Sequence, residues 1–147
     1  MTPQEQRLNV FLVQVFSDIL RLEEANLRSV CRNLSVSELH VLEAVKLSAQ
    51  QGCVSMAEVA AQLGITSGTL TVSAKTLEQK GYLIRARGEK DKRRVTLTLT
   101  AAALPVLAAH TAFHERMVGA VSCHLAPQQL AMLADALGSM HTFFQEL

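Results

Sequence analysis

The chain has 147 residues, 49% of them apolar and 18% charged, with no tryptophan, one tyrosine and five phenylalanines. That length suits one domain with a buried aliphatic core, and a net charge of +1 by itself says nothing about nucleic acid. Three cysteines (Cys31, Cys53, Cys123), an odd number without metal-type spacing, indicate no disulfide framework. With no basic leader and no apolar run of ~20 residues, a cytoplasmic chain that does not enter a membrane is expected.

Residues 1–33 carry a long helical pattern. Thr2-Pro3 supplies a cap and first turn, with Glu5 at the helix start. Leu8, Phe11, Leu12, Val15, Phe16, Ile19 and Leu22 recur at steps of three and four. A second helix is capped by Ser35 or Ser37, buries Leu39, Leu42 and Val45, and stops near Gln51-Gly52. Ser55 and Glu58 form a capping box for a third helix over 56–63, which Gly64 ends.

Thr66 or Ser67 caps a fourth helix that stops at Gly81. A helix, a short glycine turn and a second helix make a helix-turn-helix. The fourth helix keeps Leu70, Ala74 and Leu77 on one face, while Ser67, Thr69, Thr71, Ser73, Lys75 and Thr76 cover the remainder. Short hydroxyl side chains are poor helix surface by propensity, but they suit a helix pressed into a nucleic-acid groove.

Two strands are expected next, over 82–86 and 94–99, the second with Thr96, Thr98 and Thr100 alternating with Val95, Leu97 and Leu99. Between Lys80 and Arg94 stand seven basic residues (Lys80, Arg85, Arg87, Lys90, Lys92, Arg93, Arg94) against two acidic ones (Glu89, Asp91), so the rest of the chain is net acidic. A local basic patch is the footprint of one polyanionic partner. Thr100 is expected to cap a fifth helix running to about Cys123, and a sixth starts at Leu125-Ala126-Pro127 with a stripe through Leu130, Leu133, Ala134, Leu137, Met140 and Phe144. The terminal helices carry more apolar face than the small middle segment can cover, so a homodimer is expected.

This order of elements resembles the MarR family of bacterial transcription regulators over essentially the whole chain. The resemblance is carried by Leu70, Leu77, Glu78, Gly81 and Tyr82, then Asp91-Lys92-Arg93, then Leu97, Leu99 and Thr100. It implies a mainly α chain with a small β-wing: a six-helix, dimeric, winged helix-turn-helix protein and not an enzyme. The span 1–147 would be one domain, with 34–99 as the winged helix-turn-helix and 1–33 and 100–147 as dimerisation helices. The implied partner is double-stranded DNA bearing a pseudo-palindromic operator. Ser67, Thr69, Thr71, Val72, Lys75, Thr76, Arg87, Lys92, Arg93 and Arg94 would contact it, while Asp91 shapes the wing.

Within the family the chain is similar to FabT-type repressors of fatty-acid biosynthesis, through Glu23-Glu24-Ala25-Asn26-Leu27-Arg28, Glu38-Leu39-His40, Gly68-Thr69-Leu70-Thr71, Gln79-Lys80-Gly81-Tyr82 and Phe113-His114-Glu115-Arg116-Met117-Val118. That likeness implies a response to a long-chain acyl group on acyl carrier protein. An apolar pocket for it would use Phe16, Leu20, Leu39 and Phe113.

His110 and His114 stand at i and i+4 and share a helix face. His40 with Glu23 or Glu24 could complete a four-ligand set for zinc, similar to that of zinc-sensing AdcR-type members of the family. The other reading of these residues is a polar network between helices. Cys31, between Arg28 and Arg32, has the cationic setting that can activate a thiol, although a buried inert cysteine is the more ordinary case.

Overall fold

The computed structural model describes residues 1–50, 54–88 and 91–146. Its elements are α1 (Pro3–Val30), α2 (Val36–Gln50), α3 (Met56–Leu63), α4 (Ser67–Gln79), β1 (Leu83–Arg87), β2 (Val95–Leu99), α5 (Ala103–Ser122) and α6 (Pro127–Gln145). Two compact units, Met1–Thr111 and Ala112–Leu147, divide the chain inside α5.

Local chemistry sets most helix boundaries. Thr2 and Glu5 cap each other's backbone at the start of α1, Ser35 and Glu38 do so for α2, and Ser55 and Glu58 for α3. Each box satisfies amide donors that a helix start leaves unpaired. Thr66 takes the amide of Thr69 at the start of α4. At the other ends, Gly64 (φ 64°) and Gly81 (φ 84°) adopt the left-handed conformation. There the amides of Ile65 and Tyr82 reach back to the carbonyls of Ala60 and Leu77, closing α3 and α4 in Schellman fashion. The expected stop of α2 at Gln51-Gly52 lies outside the described residues.

Four expected boundaries are corrected. The first helix ends at Val30 rather than at residue 33, because Cys31 is extended (φ −149°). The strands lie one residue later at their starts, at Leu83 and Val95. Thr100 does not cap α5: its hydroxyl donates to the carbonyl of Gly81 at 2.6 Å and its amide to Tyr82. Thr100 therefore ties off the base of the hairpin, and α5 begins only at Ala103.

The core of the first unit joins α2, α3, α4 and the hairpin. Leu39, Leu42, Val45, Val59, Leu70, Leu77, Leu83 and Leu97 are essentially inaccessible. β1 and β2 pair antiparallel, with Leu83 opposite Leu99, Arg85 opposite Leu97 and Arg87 opposite Val95. The amide of Leu97 also donates to the carbonyl of Val54, and Ser55 bridges to Thr96. That third, very short strand segment was not foreseen; it fixes the hairpin to the start of α3. In the second unit α6 buries no residue, and in the first α1 buries only Glu23 and Leu27. Among the described residues no helix is long and apolar enough to cross a membrane.

Glu38 links α2 to the end of α4. Its carboxylate accepts from Lys80 Nζ at 2.8 Å and from the amide of Ser35. Burial pushes the carboxyl up, but the bonds from Lys80 and Ser35 together outweigh burial and hold it below its ordinary value. A depressed folded value contributes stability in full above the unfolded carboxylate value of about 4.5 and loses it as pH falls through the lower one. Glu38→Gln is therefore expected to lower stability at neutral pH while making the acid loss shallower. Urea unfolding at neutral and acid pH checks this; parallel pH profiles for both proteins would contradict it.

Candidate nucleic-acid interface

The outward side of α4 and the hairpin share one concave surface. One groove is lined by Met56, Thr71, Lys75, Arg85, Arg87 and Val95. A neighbouring groove brings Ser55, Ser67, Thr71, Arg93 and Arg94 together. Hydroxyls of α4 and cations of the hairpin thus lie side by side, the pairing that phosphate and groove contacts require.

Within α4, Ser67, Thr69, Val72 and Lys75 are exposed, and Thr71 and Thr76 half-buried. The hydroxyls of Thr71 and Thr76 donate to the carbonyls of Ser67 and Val72 at 2.8 and 3.1 Å. These two hydroxyls are folded onto their own helix, so they are not free-standing donors as the composition alone implied.

The tip of the hairpin is shaped by its own backbone. Asp91 Oδ1 accepts from the amide of Arg93 at 2.9 Å, the amide of Arg94 donates to the carbonyl of Asp91, and the amide of Gly88 donates to that of Arg94. A Cβ on Gly88 would meet the Asp91 carbonyl oxygen at 2.8 Å, so only glycine fits this close approach. Arg87, Lys92, Arg93 and Arg94 are all exposed there. Glu89 and Lys90 of the expected loop lie outside the described residues.

Not every cation counted in the basic segment faces outward. Lys80 is engaged by Glu38. Arg85 is engaged by Glu78, which accepts from its amide, Nε and Nη2 at 3.0, 2.8 and 2.7 Å. Those bonds hold the Glu78 carboxyl below its ordinary value, and they tie α4 to β1.

A second cluster lies away from this surface, within the first unit. Glu23 Oε1 stands 2.8 Å from His40 Nε2 and 3.4 Å from His110 Nδ1, and His110 Nε2 is 3.2 Å from Glu43 Oε2. Glu23 and His110 are buried. Of the two glutamates considered it is Glu23 that joins the histidines; Glu24 points along the surface of α1 to Arg28. Ligand atoms of Glu23, His40 and His110 lie within 4.8 Å of one another, and among the described residues His114 is not in that group. In the second unit the ring of His114 meets the edge of Phe113. Glu43 went unnoticed in the sequence, although its i+3 spacing from His40 places it on the same side of α2.

The four pocket candidates are divided. Leu39 is 1% exposed in the core of the first unit and Phe113 is 9% exposed in the second, whereas Phe16 and Leu20 are 65% and 41% exposed. Leu20 lines a shallow groove with Arg21, Glu24, Ser35, Val36 and Ser37. The Cys31 thiol contacts Tyr82 Oη at 3.1 Å and Asn33 Oδ1 at 2.8 Å. Cys123 is exposed at the end of α5, and Cys53 lies outside the described residues.

Comparison with known proteins follows the same surface. The family model described as "MarR family" matches residues 32–94, from the end of α1 to the tip of the hairpin. FabT of Streptococcus pneumoniae, in a crystal structure in complex with DNA, superposes with a TM-score of 0.85 and 31% identity, covering 97% of this chain and 98% of that one. The S. aureus MepR–DNA complex superposes with a TM-score of 0.75 at 19% identity, covering 90% of this chain and 96% of that one. BldR of Sulfolobus solfataricus gives 0.68 at 19% identity, with all of both chains covered. The last two likenesses speak to the fold alone. No curated protein matched the chain by sequence.

Proposed function

We propose that this chain, which belongs to the MarR family of transcription regulators, binds a pseudo-palindromic DNA operator as a homodimer and represses fatty-acid-biosynthesis genes. The observation that carries the proposal is the likeness to S. pneumoniae FabT over nearly the full length of both chains, with α4 and the hairpin set on one surface. In this reading α4 enters the major groove and the hairpin is a wing whose Arg93 enters the minor groove. An arginine there reads groove width and negative potential rather than base edges. Two copies would place their α4 helices about one helical turn, ~34 Å, apart along the duplex.

Dimerisation is supported by apolar side chains left uncovered. Phe11, Phe16, Phe143 and Phe144 are all more than half exposed, and monomeric soluble proteins rarely leave so much aromatic surface to water. A second copy is the partner this reading assigns to α1, α5 and α6.

Acyl carrier protein loaded with a long acyl chain is the proposed effector, and its acyl group would raise operator affinity. The usual coupling between two such sites is ~1–3 kcal/mol. The test is operator binding followed by fluorescence anisotropy with and without long-chain acyl carrier protein. A rise in affinity supports the fatty-acid role; unchanged affinity ends it while leaving the DNA-binding role standing.

A second reading, a zinc-responsive regulator, is favoured by the donor set of Glu23, His40 and His110. Two imidazoles and a carboxylate are ligands that zinc accepts, and Glu43 is close enough to His110 to orient its ring. Bound zinc would join α1, α2 and the first half of α5 as a structural tie. Elemental analysis of the purified protein tests it: one zinc per chain, lost in His110→Ala, supports the reading. A zinc-free protein whose thermal midpoint ignores added zinc ends it.

A further inference from the structure

The outward face of α4 is ordered in a way that attraction to phosphates does not require. Leu70, Ala74 and Leu77 are fully buried. At 3.6 residues per turn the line opposite them runs from Gly68 through Val72 to Gln79, with Lys75 beside it. Val72 is 66% exposed on this crest. A β-branched residue lowers helix propensity and here covers no core. Thr71 and Thr76, both half-buried, spend their hydroxyls on their own backbone, so the γ-methyls are what these side chains have left to offer a groove.

Gly68 is the second independent observation. Its φ is not positive, and a Cβ would meet only Thr66 Oγ1, at 3.9 Å. The fold therefore accommodates alanine at this position, and a glycine in the first turn lowers helix stability without any internal compensation. A missing side chain on the crest does allow another molecule to approach the backbone closely. Of the side chains that read purines through hydrogen bonds, the helix carries few, with Lys75 beside the crest as its one cation. From Ser67 to Gln79 there is no arginine or asparagine, and the one glutamine, Gln79, is at the far end.

We propose that α4 reads thymine methyl groups in the major groove: Val72, flanked by the γ-methyls of Thr71 and Thr76, packs against C5-methyls, and Gly68 admits the backbone to the groove floor. This inference rests on the reading of α4 as the DNA-reading helix and names the chemistry of its target, A·T pairs with their methyls presented to each half-site. Lys75 would then serve the flanking phosphates or a guanine edge, without setting the central preference.

The test begins with selection of duplexes from a random library by the full-length protein. Thymines recurring in the half-sites are then replaced by deoxyuridine, which keeps the base pair and removes only the methyl. Wild-type affinity is expected to fall about three- to fivefold per methyl removed. Val72→Ala should bind the thymine duplex more weakly and lose little further on the deoxyuridine duplex. Gly68→Ala should keep or raise the thermal midpoint while binding the thymine duplex more weakly. Equal wild-type binding to both duplexes, or half-sites without recurring thymines, would overturn the inference and leave DNA binding intact. Failure to enrich any duplex would instead overturn the reading of α4 on which it rests.

Discussion

Arg93→Ala is expected to lower operator affinity by about tenfold to a hundredfold for each wing engaged, and to reduce the salt slope by about one per engaged wing. Arg93 is exposed at the hairpin tip and takes no part in the core, so the unfolding free energy should stay within about 0.5 kcal/mol of wild type. The sharper comparison is with Asp91→Ala. If the tip acted only through its charge, removing an acidic residue would strengthen binding to a polyanion. The geometry predicts the opposite: Asp91 Oδ1 holds the amide of Arg93, and without that bond the turn that aims the arginine loosens. Asp91→Ala should therefore weaken binding, and Asp91→Asn, which keeps an acceptor oxygen, should restore part of it. Tighter binding by Asp91→Ala, measured by anisotropy at fixed salt, would contradict the assigned role.

Leu70→Ala is expected to destabilise the protein by ~2–5 kcal/mol, because the side chain is completely buried between α4 and the rest of the core. Two residues further on, Val72→Ala should change stability by no more than about 0.5 kcal/mol, since Val72 packs against nothing in the core. Denaturation midpoints in urea separate the two. A small effect at Leu70 or a large one at Val72 would mean that the inward and outward faces of α4 are wrongly assigned. With the faces as described, loss of DNA binding in the Leu70 variant follows from an unfolded helix, and in the Val72 variant from a lost contact.

The middle of the chain was legible because its signals are local. Ser55 and Glu58 box the start of α3, glycines stop α3 and α4, and threonines alternate with apolar residues along β2. Signals of that kind act within one turn of helix or along one strand, and they survive folding unchanged. Where the decisive partner is distant in sequence, local pattern does not reveal it. Thr100 looks like a helix cap until Gly81, nineteen positions earlier, takes its hydroxyl.

The same holds for charge. Lys80 and Arg85 add to the basic segment on paper, yet Glu38 and Glu78 engage both inside the fold. Neighbouring residues on a helix point about 100° apart, so Glu23 and Glu24 face different directions. Only packing chooses Glu23 as the buried one. The apolar stripe of α1 had the inverse problem: periodicity identifies a face to be covered without saying by what. Leu27 is covered within the chain, whereas Phe16 is exposed.

If α4 and the wing bind DNA through phosphate contacts, the affinity of the purified protein for the duplex upstream of its own gene must depend steeply on salt. Release of counterions predicts a linear fall of log affinity with log salt, amounting to a loss of about 10³–10⁵ between 50 and 200 mM if six to ten phosphates are contacted. Affinity that does not change with salt, or no binding at the lowest salt, would contradict the account.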